Sequence, residues 1–61
     1  MIRTRITLKS GEIIDTVETF SALCGNIYRH YGSIITVYLD NIHYREISTL
    51  NITNIELVNN Y

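Results

Sequence analysis

Phe20-Ser21-Ala22-Leu23-Cys24-Gly25-Asn26-Ile27-Tyr28-Arg29-His30-Tyr31 is the stretch in which the chain changes its period. Phe20, Leu23, Cys24, Ile27, Tyr28 and Tyr31 fall at i, i+3, i+4, i+7, i+8 and i+11, the spacing of one helix face. Thr19 stands before it with a hydroxyl that can accept an orphan amide of the first turn, and Ser21 is the weaker cap. Gly32 follows where a left-handed C-terminal cap is expected. Gly25 inside the helix costs up to about 1 kcal/mol relative to alanine, which points to a strand or partner passing close by. The stripe is expected to face the core, with Tyr28 and Tyr31 in it or at its edge.

On both sides of this helix the period is two. Ile2, Thr4, Ile6 and Leu8 alternate with Arg3, Arg5, Thr7 and Lys9, the pattern of a half-buried strand. Ser10-Gly11 is a turn signal, because glycine takes positive φ without steric cost. A return strand over Glu12 to Glu18 follows. With Ser10 and Gly11 as a two-residue loop, Leu8 faces Ile13, Lys9 faces Glu12 and Arg3 faces Glu18. The basic block Arg3, Arg5, Lys9 and the acidic block Glu12, Asp15, Glu18 then become largely cross-strand pairs. This register leaves Asp15 on the face of Ile6 and Leu8, which requires either a bulge or an open end of that face.

After the helix, Ser33 to Leu39 is rich in β-branched residues, Asp40-Asn41 signals a hairpin, and Ile42 to Ser48 returns. Thr49-Leu50-Asn51 breaks the alternation before Ile52 to Val58 resumes it. The expected architecture is a single α+β domain over residues 1–61. It has the order β-β-α-β-β-β, a small bent antiparallel sheet, and one amphipathic helix packed on it. Residues 58–61 are expected to fray.

Composition bounds the function. The 61 residues carry a net charge of −1 and are 46% hydrophobic, a globular value. A nucleic-acid binder usually shows a strong basic excess. Cys24 is the single cysteine, so no internal disulfide forms. With only His30 and His43 to join it at no usual ligand spacing, no metal site is expected. No run approaches the roughly 18 apolar residues that span a bilayer. No signal-peptide core follows Met1–Arg5. A cytoplasmic protein with no membrane contact is the expectation.

Two stretches resemble a known group. Ile6-Thr7-Leu8-Lys9-Ser10-Gly11-Glu12 resembles the opening hairpin of small SH3-like and Sm-like barrels. Tyr44 to Val58, ending in Asn54-Ile55-Glu56-Leu57-Val58, resembles the strand, 3₁₀ turn and last strand that close them. Small accessory proteins of phages and mobile elements of Gram-positive bacteria look like this over about half the chain. The resemblance implies a partial SH3-like barrel. It also implies roles such as anti-defence inhibition or transcription regulation, and carries over no functional residue. The helix between the second and third strands departs from the plainest barrel pattern.

No phosphate-binding loop or catalytic grouping is legible: Gly11, Gly25 and Gly32 are isolated. Cys24 lies on the apolar stripe, where a buried structural thiol is expected. The informative group comes from the second hairpin. Centred on Asp40-Asn41, its core face pairs Leu39 with Ile42, Val37 with Tyr44 and Ile35 with Glu46. Its outer face sets Tyr38 against His43 and Thr36 against Arg45. Tyrosine and arginine are favoured in binding hot spots, and they also stack on bases and pair with phosphates. Tyr38 and Tyr61 are the tyrosines expected at the surface. The expectation is a non-enzymatic, cofactor-free binding protein that contacts a host or defence protein through Tyr38, His43 and Arg45. The alternatives are a nucleic-acid or nucleotide binder that adds Arg3 and Arg5, and a self-associating structural component, with a homo-oligomer favoured by the thin core.

Overall fold

A computed structural model describes residues 2–58, so Tyr61 and residues 59–61 of the expected fray lie outside the described residues, while Val58 is held by its N–H to Arg3 O at 3.0 Å. The elements run β1 (Thr4–Leu8), β2 (Ile13–Thr16), α1 (Phe20–Arg29), β3 (Ile34–Tyr38), β4 (Tyr44–Ser48), a 3₁₀ turn (Thr49–Asn51) and β5 (Ile52–Leu57). This is the expected α+β class and element order. The strands divide into an antiparallel three-stranded sheet, β2-β1-β5, and an antiparallel β3-β4 hairpin.

The core lies between the two sheets. Alternation sends Ile6 and Leu8 of β1, Ile14 of β2, Ile35 and Val37 of β3, and Ile47 of β4 into it. Leu23, fully buried, is the helix's contribution, and Ile27, Ile52 and Ile55 pack partly against the cluster. Three buried threonines hold the joints. Thr4 Oγ1 donates to the Glu18 carbonyl at 2.7 Å, and Thr16 Oγ1 accepts from the Glu18 amide at 3.3 Å. Thr49 Oγ1 accepts from the Gly32 amide at 2.7 Å and lies 3.1 Å from the Ser33 carbonyl. The end of β2 is tied to the end of β3 by Val17 N–H to Tyr38 O at 3.1 Å and by Tyr38 N–H to Glu18 Oε2 at 2.9 Å. Among the described residues every buried side-chain polar atom has a partner, as a small core with little energy to spare requires.

Both hairpins differ from the expected register by one residue. In the first, Leu8 N–H donates to Glu12 O and Gly11 N–H to Leu8 O, both at 2.9 Å. The loop is therefore Lys9-Ser10-Gly11, with Gly11 at φ +91°, a three-residue connection whose last residue must be left-handed. Thr4 now faces Thr16, Arg5 faces Asp15 and Ile6 faces Ile14. This removes the misplacement of Asp15, which leaves the core face and pairs with Arg5. Arg3 does not face Glu18.

The second hairpin pairs Leu39 with His43 and Val37 with Arg45, Tyr38 with Tyr44 and Ile35 with Ile47. Its loop is Asp40-Asn41-Ile42. The longer loop exchanges the faces of β4: Tyr44 turns outward and Arg45 inward.

The helix begins as expected, with Thr19 Oγ1 accepting the Ala22 amide at 3.3 Å. It ends earlier, at a His30 cap. Gly32 is left-handed, at φ +92°, but it shapes the turn beyond the cap and presents its amide to Thr49. The nearest group to a Cβ built at Gly25 is the Arg29 side chain at 3.6 Å, so among the described residues no strand approaches there. Phe20, Tyr28 and Tyr31 are exposed, Tyr28 by 86% and Tyr31 by 70%. They are not core residues: only Leu23 at the middle of the stripe is fully buried, Ile27 packs partly beside it, and the stripe is wider than the core it serves.

Candidate functional site

The expected trio of Tyr38, His43 and Arg45 does not share a face. Tyr38 projects outward from β3, and the tyrosine beside it is Tyr44, with ring centroids 5.8 Å apart and planes inclined at 51°. Both rings are about half exposed. Ile34, Thr36, Tyr38, Tyr44 and Glu46 alternate onto this outer face, and Ile34 is also exposed.

Arg45 faces the other way. Its Nη1 lies 2.5 Å from Glu12 Oε2, in the turn of the first hairpin, and this ion pair ties the two sheets together across the chain. It raises the Arg45 pKa and lowers that of Glu12, in both cases mainly through the side-chain hydrogen bond. Arg5 is likewise engaged: Nε lies 2.7 Å from Asp15 Oδ1. The Asp15 hydrogen bond and charge raise its pKa, with a smaller contribution from Glu56, its neighbour on the other flanking strand. Arg3 is exposed at the start of β1. The structure therefore separates the five expected binding residues: Tyr38 lies on the outer face of the β3–β4 hairpin, Arg45 on its other face, His43 at its turn, and Arg3 and Arg5 at the start of and within β1.

His43 belongs to the turn. Asp40 Oδ1 accepts the amides of Ile42 at 2.8 Å and His43 at 2.7 Å, and its Oδ2 lies 2.9 Å from His43 Nδ1. Those two backbone N–H groups, and then the His43 ring, hold the Asp40 carboxyl at about 2 instead of 3.8. The folded value lies below the unfolded one. The stabilisation is therefore complete above about pH 3.8 and is lost as pH falls through about 2. An NMR titration of the Asp40 carboxyl should give a midpoint near 2. A midpoint at the ordinary carboxylate value would show that the turn is not closed in this way.

The second surface is a groove between α1 and β5. Cys24, Ile27, Tyr28 and Tyr31 form its helix wall and Ile55 its strand wall, enclosing about 380 Å³. It continues past Phe20 toward Ile52 and Thr49. No charged side chain lines either part. Cys24 is half-buried in this wall, not sealed in the core. Among the described residues no group of three or more His, Cys, Asp or Glu is placed to hold a metal ion.

Sequence reading missed Tyr44 and the groove. For Tyr44 a signal existed: aspartate three residues before His43 can accept the two amides that close a three-residue loop. For the groove the signal was quantity, since one short helix carrying Phe20, Tyr28 and Tyr31 offers more aromatic surface than so small a core can cover. No helix among the described residues is long and apolar enough to cross a membrane. Comparison with protein-family models, with curated proteins and with solved structures finds no match to this chain.

Proposed function

We propose that this chain is a non-catalytic binding protein that acts through protein–protein contact, with the outer face of the β3–β4 hairpin as its contact surface. The adjacent Tyr38 and Tyr44 rings carry this reading. Two half-exposed tyrosines on a paired hairpin offer rigid apolar area with polar tips, at little entropic cost to ordering. Exposed Ile34 on the same face extends the apolar area. A more specific form is an accessory protein of a phage or mobile element that blocks a host or defence protein. Support for it comes from the resemblance of the two terminal stretches to such proteins. The pairing of β5 with β1 just after a 3₁₀ turn supports the SH3-like part of that resemblance.

A nucleic-acid reading has less behind it. Arg5 and Arg45 are each held by a carboxylate, so they offer phosphate less than free guanidinium groups would.

Replacing Tyr38 and Tyr44 together with alanine removes the aromatic pair, worth about 0.5–1.5 kcal/mol, and the covered half of each ring besides, so circular dichroism first establishes that the variant is folded. The affinity for a partner should fall by at least about 2 kcal/mol, roughly thirtyfold. The partner is identified by photo-crosslinking from position 44, and its affinity is then measured with the double variant. Undiminished binding by a folded Tyr38→Ala/Tyr44→Ala protein would refute the surface. Release that steepens sharply with salt would instead point to phosphate contacts and nucleic acid.

A further inference from the structure

Among the described residues β5 is the outer strand of its sheet, with β1 on one side and no strand on the other. Val58 N–H donates to Arg3 O at 3.0 Å, and antiparallel pairing alternates the direction of backbone groups. Residues 54, 56 and 58 therefore turn their amides and carbonyls toward β1, and Ile55 and Leu57 turn theirs to the free edge. Proteins usually blunt such an edge with lysine, proline, a β-bulge or a covering element, and the register shift opposite Thr7 and Leu8 puts the bulge of β5 at Thr53, ahead of the stretch from Asn54 on that pairs regularly with β1. β5 has neither lysine nor proline, and its one charge, Glu56, sits on the outer face opposite Arg5.

The uncharged groove lies beside this edge, on the core side of the same strand. Tyr28 is 86% exposed, Tyr31 70% and Leu57 69%. A buried aromatic side chain removes roughly 150–250 Å² from water. Tyr28, Tyr31, Phe20 and Leu57 together thus hold on the order of 500 Å² still to be covered. That is the greater part of the ~800 Å² per partner of a standard interface. Backbone pairing along β5 supplies the remainder.

We infer that the occupant is a second copy of this chain, in a two-fold dimer where β5 pairs antiparallel with β5 about Ile55 and the two α1–β5 grooves close over each other. Register follows from the charges and the parity. With Ile55 opposite its own copy, the outward-turned amides and carbonyls at that position pair with each other, and Asn54 meets Glu56 of the second copy. Sliding the pairing by one position toward Leu57 sets Glu56 against Glu56, which is unfavourable. Sliding it the other way sets Glu56 beside Ile52. A two-fold axis perpendicular to the sheet keeps both helices on one side, so the tyrosines of one groove lie against those of the other. The outer face of β3–β4 takes no part, and the dimer stands or falls separately from the function proposed for that face.

Sedimentation from low to high micromolar concentration should show the 7.1 kDa chain passing to a species of twice that mass. A 7.1 kDa species throughout overturns the inference. Leu57→Pro removes only an outward-facing amide, which edge strands tolerate. Tyr28→Glu places a charge in the groove at a site already open to water. Each folded variant should stay monomeric at concentrations where the parent is dimeric. If Leu57→Pro fails to fold, Tyr28→Glu decides alone, and a dimer undisturbed by it overturns the groove. A protein carrying Cys24→Ala, Asn54→Cys and Glu56→Cys should oxidise to a covalent dimer, because these positions face each other across the axis within disulfide reach. A non-covalent dimer that forms no such crosslink overturns the β5 register.

Discussion

Leu23→Ala is expected to cost about 2–5 kcal/mol, the range for emptying a buried leucine site. Leu23 is 0% exposed and is the helix's only fully buried apolar side chain. It belongs to one buried cluster with Ile6, Leu8 and Ile14 of the first sheet and Ile35, Val37 and Ile47 of the second. Its loss leaves a void that neither sheet can fill without breaking its pairing. Stability in a domain of this size amounts to only a few kcal/mol, so the variant should be largely unfolded at room temperature by circular dichroism. Ile27→Ala, at a half-buried position of the same stripe, should melt lower than the parent yet remain folded. If Leu23→Ala unfolded in denaturant at the parent's midpoint, the helix would not be anchored there.

Thr49→Val should cost about 1–3 kcal/mol, through polar groups and not volume. Valine has the shape of threonine, so the site stays filled. What disappears is an oxygen that accepts the Gly32 amide at 2.7 Å and lies near the carbonyls of Ser33 and His30. Thr49 is 2% exposed, so water cannot readily replace it, and the part-buried Gly32 amide is left without a partner. This one hydroxyl joins the turn after α1 to the 3₁₀ turn before β5. Thr49→Ser keeps the oxygen and should recover most of the loss. Equal melting of the valine and serine variants would assign the effect to packing instead.

The helix was legible because its apolar period is long and its N-cap is a hydroxyl at the right distance. The strands were legible because β-branched residues alternate between two short turn signals. Each register was wrong by one, for one physical reason: a two-residue and a three-residue loop use the same residue types. Only the bond made by Leu8 in the first hairpin and by Leu39 in the second separates them. One residue in register exchanges every side chain between faces. The candidate surface was read with Arg45 on it and Tyr44 off it, and the reverse holds. Tyr38 kept its outward face because the displacement falls on β4. Tyr28 and Tyr31 were unreadable from periodicity, which ranks side chains by direction around a helix and says nothing of how far the core extends beneath them.

Because β1 is the middle strand of its sheet, it must meet both β2, a short loop away, and β5, about fifty positions along the chain. The β1–β2 and β3–β4 hairpins are local and can form within about 1–10 μs. The β1–β5 ladder brings together the two extremes of the described chain, and such distant pairing slows folding. During synthesis β1 precedes β5 by about forty residues, so its second edge has no native partner until Ile52–Leu57 have also left the ribosome. The kinetic bottleneck should therefore lie in docking β5, and the nascent chain should be most open to proteases and to misplaced strand pairing just before that step.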